Sequence, residues 1–322
     1  MKVISLLVAI ALLGSCNQES NSNLSSKKIS TVPLTETSLV ILGTLQDAGS
    51  PHIACTKDCC KELFQNPDQN RMVVSLGVID PENKVSYLFE ATPDISVQMK
   101  MLKQFGSKES KETPDGIFLT HAHIGHYSGL MYLGKEAMNA KSIPVFAMPR
   151  MKKFLEESAP WSQLVSTSNI SIRELAIGKS EQLTLNITVT PFTVPHRDEY
   201  SETVGFIIEG PTKKALFIPD IDKWEKWDTS IIEEIKKVDY AFIDATFFDA
   251  EEIDNRDIRE IPHPFIIESM ELFANLSPTE KKKIYFIHVN HTNPVLNSDS
   301  KQAKQVIDNG FNLAQIYDAF KL

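Results

Sequence analysis

Short runs of apolar residues, separated by polar turns, make up most of the chain after residue 38. Runs such as residues 39–43 and 240–244 are rich in β-branched and aromatic residues, which is typical of buried strands. Between them, stretches such as residues 266–276 repeat apolar side chains at helical spacing and predict amphipathic helices. Strands in two blocks, with helices between and after them, predict an α/β protein built as a four-layer αββα sandwich.

This pattern predicts each element in turn. Strands are expected at residues 39–43, 73–79, 85–90, 117–120, 144–147, 170–175, 183–191, 205–209, 215–219, 240–244, 283–289 and 314–317. Helices are expected at residues 61–65, 91–102, 130–139, 149–157, 231–237, 266–276 and 301–309. There is no internal repeat, and no linker follows Pro33, so one domain is predicted over residues 38–322.

The first sixteen residues are typical of a targeting segment. Lys2 provides a positive start, and residues 3–13 are apolar but too few to span a bilayer as a stable helix. The letters LGSC at residues 13–16 resemble a bacterial lipobox, in which Cys16 would be acylated; the alternative is a plain signal peptide that ends in a chance cysteine. Residues 17–37, rich in Ser, Asn and Lys, would tether a periplasm-facing lipoprotein to the cell envelope.

The overall composition narrows the range of partners. The chain has 322 residues, 42% of them hydrophobic and 23% charged, which is ordinary for a globular protein. Its formal net charge is −9 and no long basic run occurs, so nucleic acid is not an expected partner. A small-molecule substrate is expected instead, and the sequence does not predict an oligomeric state.

The cysteines form one cluster. If Cys16 carries lipid, the remaining cysteines are Cys55, Cys59 and Cys60, within six letters of one another. An odd, closely spaced set does not suggest a disulfide framework, even in an exported protein. Three thiolates instead suggest a structural zinc that needs a fourth ligand, and the alternative is that all three are reduced, buried thiols.

The strongest chemical signal is IFLTHAHIGHYSGL at residues 117–130. A short strand runs into His121, His123 and His126, and glycines then turn the chain. Alternation along an extended segment places His121 and His123 on one side, and His126 returns to the same point as the chain bends. Three imidazoles this close predict half of a metal site for zinc or iron.

HAHIGH resembles the HxHxDH signature of the metallo-β-lactamase superfamily. The resemblance implies an αββα sandwich with metals at one edge, and a further histidine, an aspartate and a last histidine in chain order. Candidates for these three follow apolar runs in that order: His196, Asp220 and His288. The family's motif aspartate is Gly125 here, so we expect a weakened second metal and tighter binding in Gly125→Asp.

The resemblance implies a role for each ligand. His121, His123 and His196 would hold one divalent metal with an open position for water. Asp220 would bridge to a second metal at His126 and His288. His263 lies in a proline-flanked loop, and with these ligand positions filled it is expected to be a catalytic pocket residue, alongside Asp220.

Both ends of the domain carry a closer resemblance. LGTLQDAGSPHIAC at residues 42–55 and FIHVNHTNPVL at residues 286–296 are similar to segments of the pyrroloquinoline quinone biosynthesis protein B family. A related branch, the cyclic phosphodiesterase that accompanies carbon–phosphorus lyase, ties its cysteines to a histidine three residues after the last active-site histidine. This implies His291 as the partner of Cys55, Cys59 and Cys60, with His52 as the rival.

Two functions follow as hypotheses. The first is a hydrolase that uses a metal-bound hydroxide on a phosphodiester or other ester, with one or two zinc ions in the active site and one structural zinc; iron or manganese are alternatives in the active site. The second is an iron oxygenase, or a cofactor-binding or transport protein, similar to pyrroloquinoline quinone biosynthesis protein B. True members of that family tend to lack the early histidines that are intact here, which favours hydrolysis.

We predict that Cys16→Ala leaves the protein unacylated and removes it from the membrane fraction, because the thiol of Cys16 is the acceptor in the lipobox interpretation. Metabolic labelling with palmitate, followed by fractionation, measures both effects. Labelling of the variant at the level of the unmodified chain would contradict the lipobox interpretation.

Overall fold

The computed structural model describes residues 33–253 and 257–322. The predicted signal peptide, Cys16 and most of the predicted tether lie outside the described residues. The last part of that tether belongs to the domain, because the amide of Leu34 donates to the carbonyl oxygen of Phe105 over 2.8 Å and Thr37 is buried. The domain therefore begins a few residues before the predicted boundary at residue 38.

The strands are numbered in chain order. They are β1 (Ser38–Gly43), β2 (Ser75–Asp80), β3 (Val85–Phe89), β4 (Gly116–Phe118), β5 (Ile143–Ala147), β6 (Ile170–Glu174), β7 (Glu181–Gln182), β8 (Thr188–Thr193), β9 (Val204–Glu209), β10 (Lys214–Ile218), β11 (Tyr240–Asp244), β12 (Ile284–Ile287), β13 (Asn312–Leu313) and β14 (Ala319–Lys321).

The α-helices are numbered likewise. They are α1 (Asp58–Lys61), α2 (Ile95–Phe105), α3 (Ile124–Tyr127), α4 (Pro149–Glu157), α5 (Trp161–Ser166), α6 (Ile231–Lys236), α7 (Ile266–Leu272), α8 (Pro278–Lys281) and α9 (Lys301–Asp308). Among the residues that the structure describes, none of the helices has the length and apolar character needed to cross a membrane.

In the described part of the chain the strands form two seven-stranded sheets. The first has the order β14-β1-β2-β3-β4-β5-β6, and the second has the order β13-β12-β11-β10-β9-β8-β7. Each sheet is antiparallel in one half and parallel in the other: β3 to β6 run parallel, and so do β10 to β13. The carboxyl ends of those parallel strands bring loops together at the sheet edges.

The inner faces of the two sheets share one apolar core. Phe89 and Phe118 of the first sheet stack at 4.8 Å between ring centroids, and Phe206 of the second sheet meets Phe118 edge-on at 5.7 Å. All three rings are fully buried. Because burying apolar surface is the main favourable term in folding, this aromatic layer explains why the sheets lie face to face.

Helices cover both outer faces. On the first sheet, Leu102 of α2, Leu155 of α4 and Leu164 of α5 are buried in one cluster. On the second sheet, Ile235 of α6 and Val306 of α9 are buried in another. The order helix, sheet, sheet, helix confirms the predicted αββα sandwich.

Three local predictions were wrong. The helix expected at residues 130–139 is a 3₁₀ helix, Ser128–Leu133, in which Leu130 and Leu133 are buried at the three-residue spacing of that helix type. Of the strand expected at residues 183–191, only residues 188–191 are extended, as part of β8, and residues 183–187 form the turn that follows β7. The expected last strand at residues 314–317 is a connection between β13 and β14, and helix α5 was not predicted.

Candidate metal centre

The histidine segment leaves the first sheet at the carboxyl end of β4. Residues 119–123 continue without regular structure, and helix α3 then turns the chain so that His126 points back. His121 and His126 are buried, and His123 is 13% exposed at its side chain. Their rings contact one another, with centroids 4.4 Å apart for His121 and His123 and 4.1 Å apart for His121 and His126. The three imidazoles converge as the spacing predicted.

The other predicted ligands come from the second sheet. His196 follows β8, Asp220 follows β10 and His288 follows β12. These strands run in one direction, since β8 and β10 are both antiparallel to β9 and β10 to β12 are parallel. Their carboxyl ends therefore meet at one edge of the sheet, and the histidine segment of the first sheet faces that edge.

Two groups of donor atoms result. In the first, His121, His123, His196 and Asp220 each place one donor atom within 4.8 Å of the others. Oδ2 of Asp220 lies 3.3 Å from Nε2 of His121 and 3.2 Å from Nε2 of His196. Three imidazoles and one carboxylate are a donor set that divalent metals accept in proteins.

The second group contains a residue that the sequence analysis missed. Asp47, His126, Asp220 and His288 also lie within 4.8 Å of one another through their donor atoms. Oδ2 of Asp220 is 3.9 Å from Nε2 of both His126 and His288, so this carboxylate is shared by the two groups. Asp47 lies in the glycine-rich opening segment, whose one acidic side chain was the available signal.

Hydrogen bonds on the far side of the rings orient the ligands. The hydroxyl of Thr246 donates to Oδ1 of Asp244 over 2.7 Å and can therefore accept from Nδ1 of His288 at 2.9 Å. In that arrangement Nδ1 of His288 carries a proton, and Nε2 is the ring nitrogen that faces the centre and could bind a cation. The hydroxyl oxygen of Thr120 lies 2.9 Å from Nδ1 of His121.

His263 lies behind Asp220. Its Nδ1 is 2.8 Å from Oδ2 of Asp244 and 3.2 Å from Oδ1 of Asp220, and its side chain is 10% exposed. The loop before α7 thus brings His263 to the bridging carboxylate. The contact suits a residue that positions Asp220. His263 also belongs to a third group of donors within 4.8 Å of one another, together with Asp220, Asp244 and His288.

The buried donors fit a cation. Among the described residues, Nε2 of His126, of His196 and of His288, and Oδ1 of Asp47, are buried without a hydrogen-bond partner. Burial alone would raise the pKa of Asp220, but the imidazoles around it outweigh burial and hold that pKa well below its ordinary value. Burial also holds the pKa of His121 well below its ordinary value. Burial alone would lower the pKa of His126 and of His288, but the carboxylates around them raise both, that of His288 to about 9. A metal would therefore take the place of a proton on these two rings.

The cysteines form a separate cluster beside the end of β12. Cys55, Cys59, Cys60 and His291 place their donor atoms within 4.8 Å of one another. Sγ of Cys59 is 3.9 Å from Sγ of Cys55 and 3.9 Å from Sγ of Cys60. Burial, with His52 and Lys57 nearby, lowers the pKa of His291 to about 4, so its imidazole is neutral. Three sulfurs and one nitrogen match a structural zinc site.

The rival fourth ligand, His52, lies outside this group. Its ring contacts the ring of His291 with centroids 4.3 Å apart, and its Nδ1 is 2.7 Å from the carbonyl oxygen of Ile53. The backbone amide of His52 donates to Sγ of Cys60 over 3.2 Å. His52 therefore supports the cluster from outside, and His291 has the better ligand geometry.

The fold and the centre together define the class. An αββα sandwich with histidines and a shared carboxylate at one edge is the architecture that the histidine pattern predicted. A family model described as "Beta-lactamase superfamily domain" matches residues 86–289, and the chain belongs to that superfamily. Its class is therefore that of the metallo-β-lactamase-fold hydrolases.

Individual relatives share about a fifth of their residues with this chain. The chain is 22% identical over 302 residues to the coenzyme PQQ synthesis protein B of Methylorubrum extorquens (strain PA1), which covers 86% of this chain and 97% of the relative. Its fold is similar to that of Zn(2+)-bound PqqB from Methylobacterium extorquens, with a TM-score of 0.72, 21% identity and coverage of 88% and 100%. A diphosphatase from the PhnP family has a TM-score of 0.63, 19% identity and coverage of 88% and 96%.

We predict that Cys59→Ser releases one zinc per chain and lowers the melting temperature by about 5 °C or more, because zinc bound at the cysteine cluster contributes folding energy. Elemental analysis and calorimetry measure the two effects. Thr56→Ser, an exposed position in the same loop, is the control. His291→Ala should behave like Cys59→Ser and His52→Ala should keep the zinc. Unchanged zinc content and melting in Cys59→Ser would show that the cysteines are only thiols.

We predict that His263→Ala retains the full metal load but lowers turnover by about 10- to 100-fold, because it removes a partner of Asp220 rather than a ligand. Elemental analysis of the purified variant and steady-state kinetics test this. His263→Asn, which keeps a donor near Asp220 and Asp244, should recover part of the turnover. Loss of one metal per chain would instead make His263 a ligand.

Proposed function

We propose that this protein is a metal-dependent hydrolase that acts on a phosphodiester or another ester. The observation that carries the proposal is the carboxylate of Asp220, which lies between two groups of buried donors. Such a bridging carboxylate is suited to holding two cations a few ångströms apart, the arrangement that hydrolases of phosphate esters use.

The roles of the side chains follow from their positions. One cation would be bound by His121, His123 and His196. The second cation would have His126 and His288 among its ligands. When bound, divalent metals supply Lewis-acid chemistry and make water more acidic. The proposed metal is zinc, with one or two ions at this centre and one at the cysteine cluster; iron and manganese are the alternatives at this centre.

The substrate class draws support from one structural relative. The PhnP-family protein with a similar fold is described as a diphosphatase. A phosphate ester or anhydride is therefore the first class of substrate to test. Two long side chains of opposite charge lie beside the centre. Arg197 is 56% and Glu199 is 50% exposed, and Oε2 of Glu199 lies 3.3 Å from Nε2 of His123. Charged side chains beside a donor of the centre suit a polar small molecule.

A second candidate is an iron oxygenase or a cofactor-binding or transport protein, which the similarity to coenzyme PQQ synthesis protein B over 86% of this chain favours. The complete set of donors in the first group favours hydrolysis. Metal analysis after anaerobic purification separates the two. Zinc with hydrolysis of an activated phosphodiester supports the first function, and a single iron with oxygen consumption supports the second.

We also propose that the domain works at the bacterial cell envelope, anchored by lipid on Cys16 and facing the periplasm. The proposal rests on the apolar run and the LGSC letters before residue 17. Substrates available there, rather than a cytosolic precursor, should therefore be included in the assays.

We predict that His121→Ala and His196→Ala each abolish hydrolysis but cost much less stability than Cys59→Ser, because catalytic ligands are not optimised for stability. The assay uses metal-reconstituted protein and a panel of phosphodiesters, lactones and thioesters, with melting followed in parallel. His52→Ala, which removes an imidazole outside the centre, is the control. Full hydrolysis by either variant would contradict the assignment of the centre.

A further inference from the structure

The space that a side chain at position 125 would need is filled by the backbone of Asp47. A Cβ atom built on Gly125 would lie 2.4 Å from Cα of Asp47 and 2.4 Å from its Oδ1. Real Cβ contacts are not this short, and Cα of Asp47 is not the flexible end of a side chain. A side chain at position 125 and Asp47 in its present place therefore exclude each other. This clash argues against the expectation that Gly125→Asp would tighten metal binding.

Asp47 is held in that place by the backbone on its amino-terminal side. Leu45 forms parallel bridges with Val73 and Val289. The amide of Val289 donates to the carbonyl oxygen of Thr44, and the amide of Gln46 donates to the carbonyl oxygen of Val289, each over 2.9 Å. Since Val289 follows His288 directly, these bonds fix the opening segment beside a predicted ligand.

A turn then reverses the chain beyond Asp47. The amide of Gly49 donates to the carbonyl oxygen of Gln46 over 2.8 Å, and Gly49 has φ +68°, which favours glycine. The carboxylate of Asp47 thus projects from a bound and tightly turned loop rather than from a free one. Its side chain is 14% exposed.

The carboxylate is directed at the second group of donors. Oδ1 of Asp47 lies 2.9 Å from Nε2 of His126 and 3.9 Å from Nε2 of His288. Although the first distance is short, Oδ1 has no aligned hydrogen-bond donor among the described residues. Oδ1 of Asp47 and Nε2 of His126 face one point together with Nε2 of His288, so a cation there would take the place of the proton that the first two atoms otherwise share.

We propose that Asp47 is a metal ligand that supplies, from the loop after β1, the carboxylate that the HxHxDH pattern carries at the position of Gly125. The proposal rests on the metal centre of the proposed function. The second group then has two imidazoles, the shared carboxylate of Asp220 and a carboxylate of its own. The chain has moved one ligand to another segment rather than lost it.

The test is the removal of the carboxylate of Asp47. Asp47→Ala should lower the affinity for the second active-site metal by at least about 100-fold and should leave the other metals bound. Loss of a residue that only hydrogen-bonds to a ligand costs up to about 100-fold, so a larger effect indicates a ligand. Gly125→Asp should not tighten that metal. Asp47→Asn should weaken the same metal, because a neutral amide oxygen is a poorer ligand for a divalent cation than a carboxylate.

The measurements are zinc titration against a chromophoric chelator, elemental analysis, and the absorption spectrum of the cobalt-substituted protein, none of which depends on activity. Asp68→Ala is the matched control, because Asp68 lies in the same β1–β2 connection and its carboxylate pairs with its neighbours Asn70 and Arg71. If Asp47→Ala fails to fold, Asp47→Asn, which has nearly the same size, takes its place.

Two-metal binding by Asp47→Ala and Asp47→Asn at the unmodified affinity would overturn the proposal. That result would leave the hydrolase proposal standing if the unmodified protein hydrolyses esters. Conversely, Asp47-dependent binding of the second metal in a protein without hydrolytic activity would support the ligand and overturn the function.

Discussion

One buried carboxylate sets the constraint that the rest of the site depends on. The two oxygens of Asp220 lie between 3.2 and 3.9 Å from ring nitrogens of six histidines: His121, His123, His126, His196, His263 and His288. Removing a charge from water is costly unless it is paired or bound to metal. Because the imidazoles come from the ends of several strands in both sheets, the full sandwich must be assembled before Asp220 has its partners.

The connection between β1 and β2 links that centre to the cysteine cluster. It contributes Asp47 to one group of donors and Cys55, Cys59 and Cys60 to the other. Both groups also take a histidine from the end of β12, His288 in the first and His291 in the second. A metal at the cysteine cluster would therefore order the loop that carries Asp47. Metal binding at the cysteines would then affect the geometry of the active centre through the backbone of this loop, without a shared ligand.

The sequence was informative where the chemistry is local or the order along the chain is fixed. Three histidines within six residues at a strand end indicated a metal site from the residues alone. The three later candidates were assigned because the resemblance to the HxHxDH superfamily implies a histidine, an aspartate and a histidine in that order. The sandwich followed from the alternation of strands and helices. The 3₁₀ helix at Ser128–Leu133 could not be separated from an α-helix, since buried residues three apart fit both. The terminal strand β14 depends on pairing with β1, a contact almost the whole chain apart.

Asp47 could not be found by pattern because its role depends on a contact between segments far apart in the chain. A sequence motif describes only ligands that lie close together in the chain. By the HxHxDH motif, Gly125 is therefore a missing ligand. The structure shows the glycine as the condition for another arrangement: with no side chain at position 125, the backbone of Asp47 approaches within a distance that a Cβ atom would forbid. The bonds from Thr44 and Gln46 to Val289 then place the carboxylate beside His288. A departure from a metal-binding motif is therefore best judged against the atoms that fill the space the absent side chain would have taken.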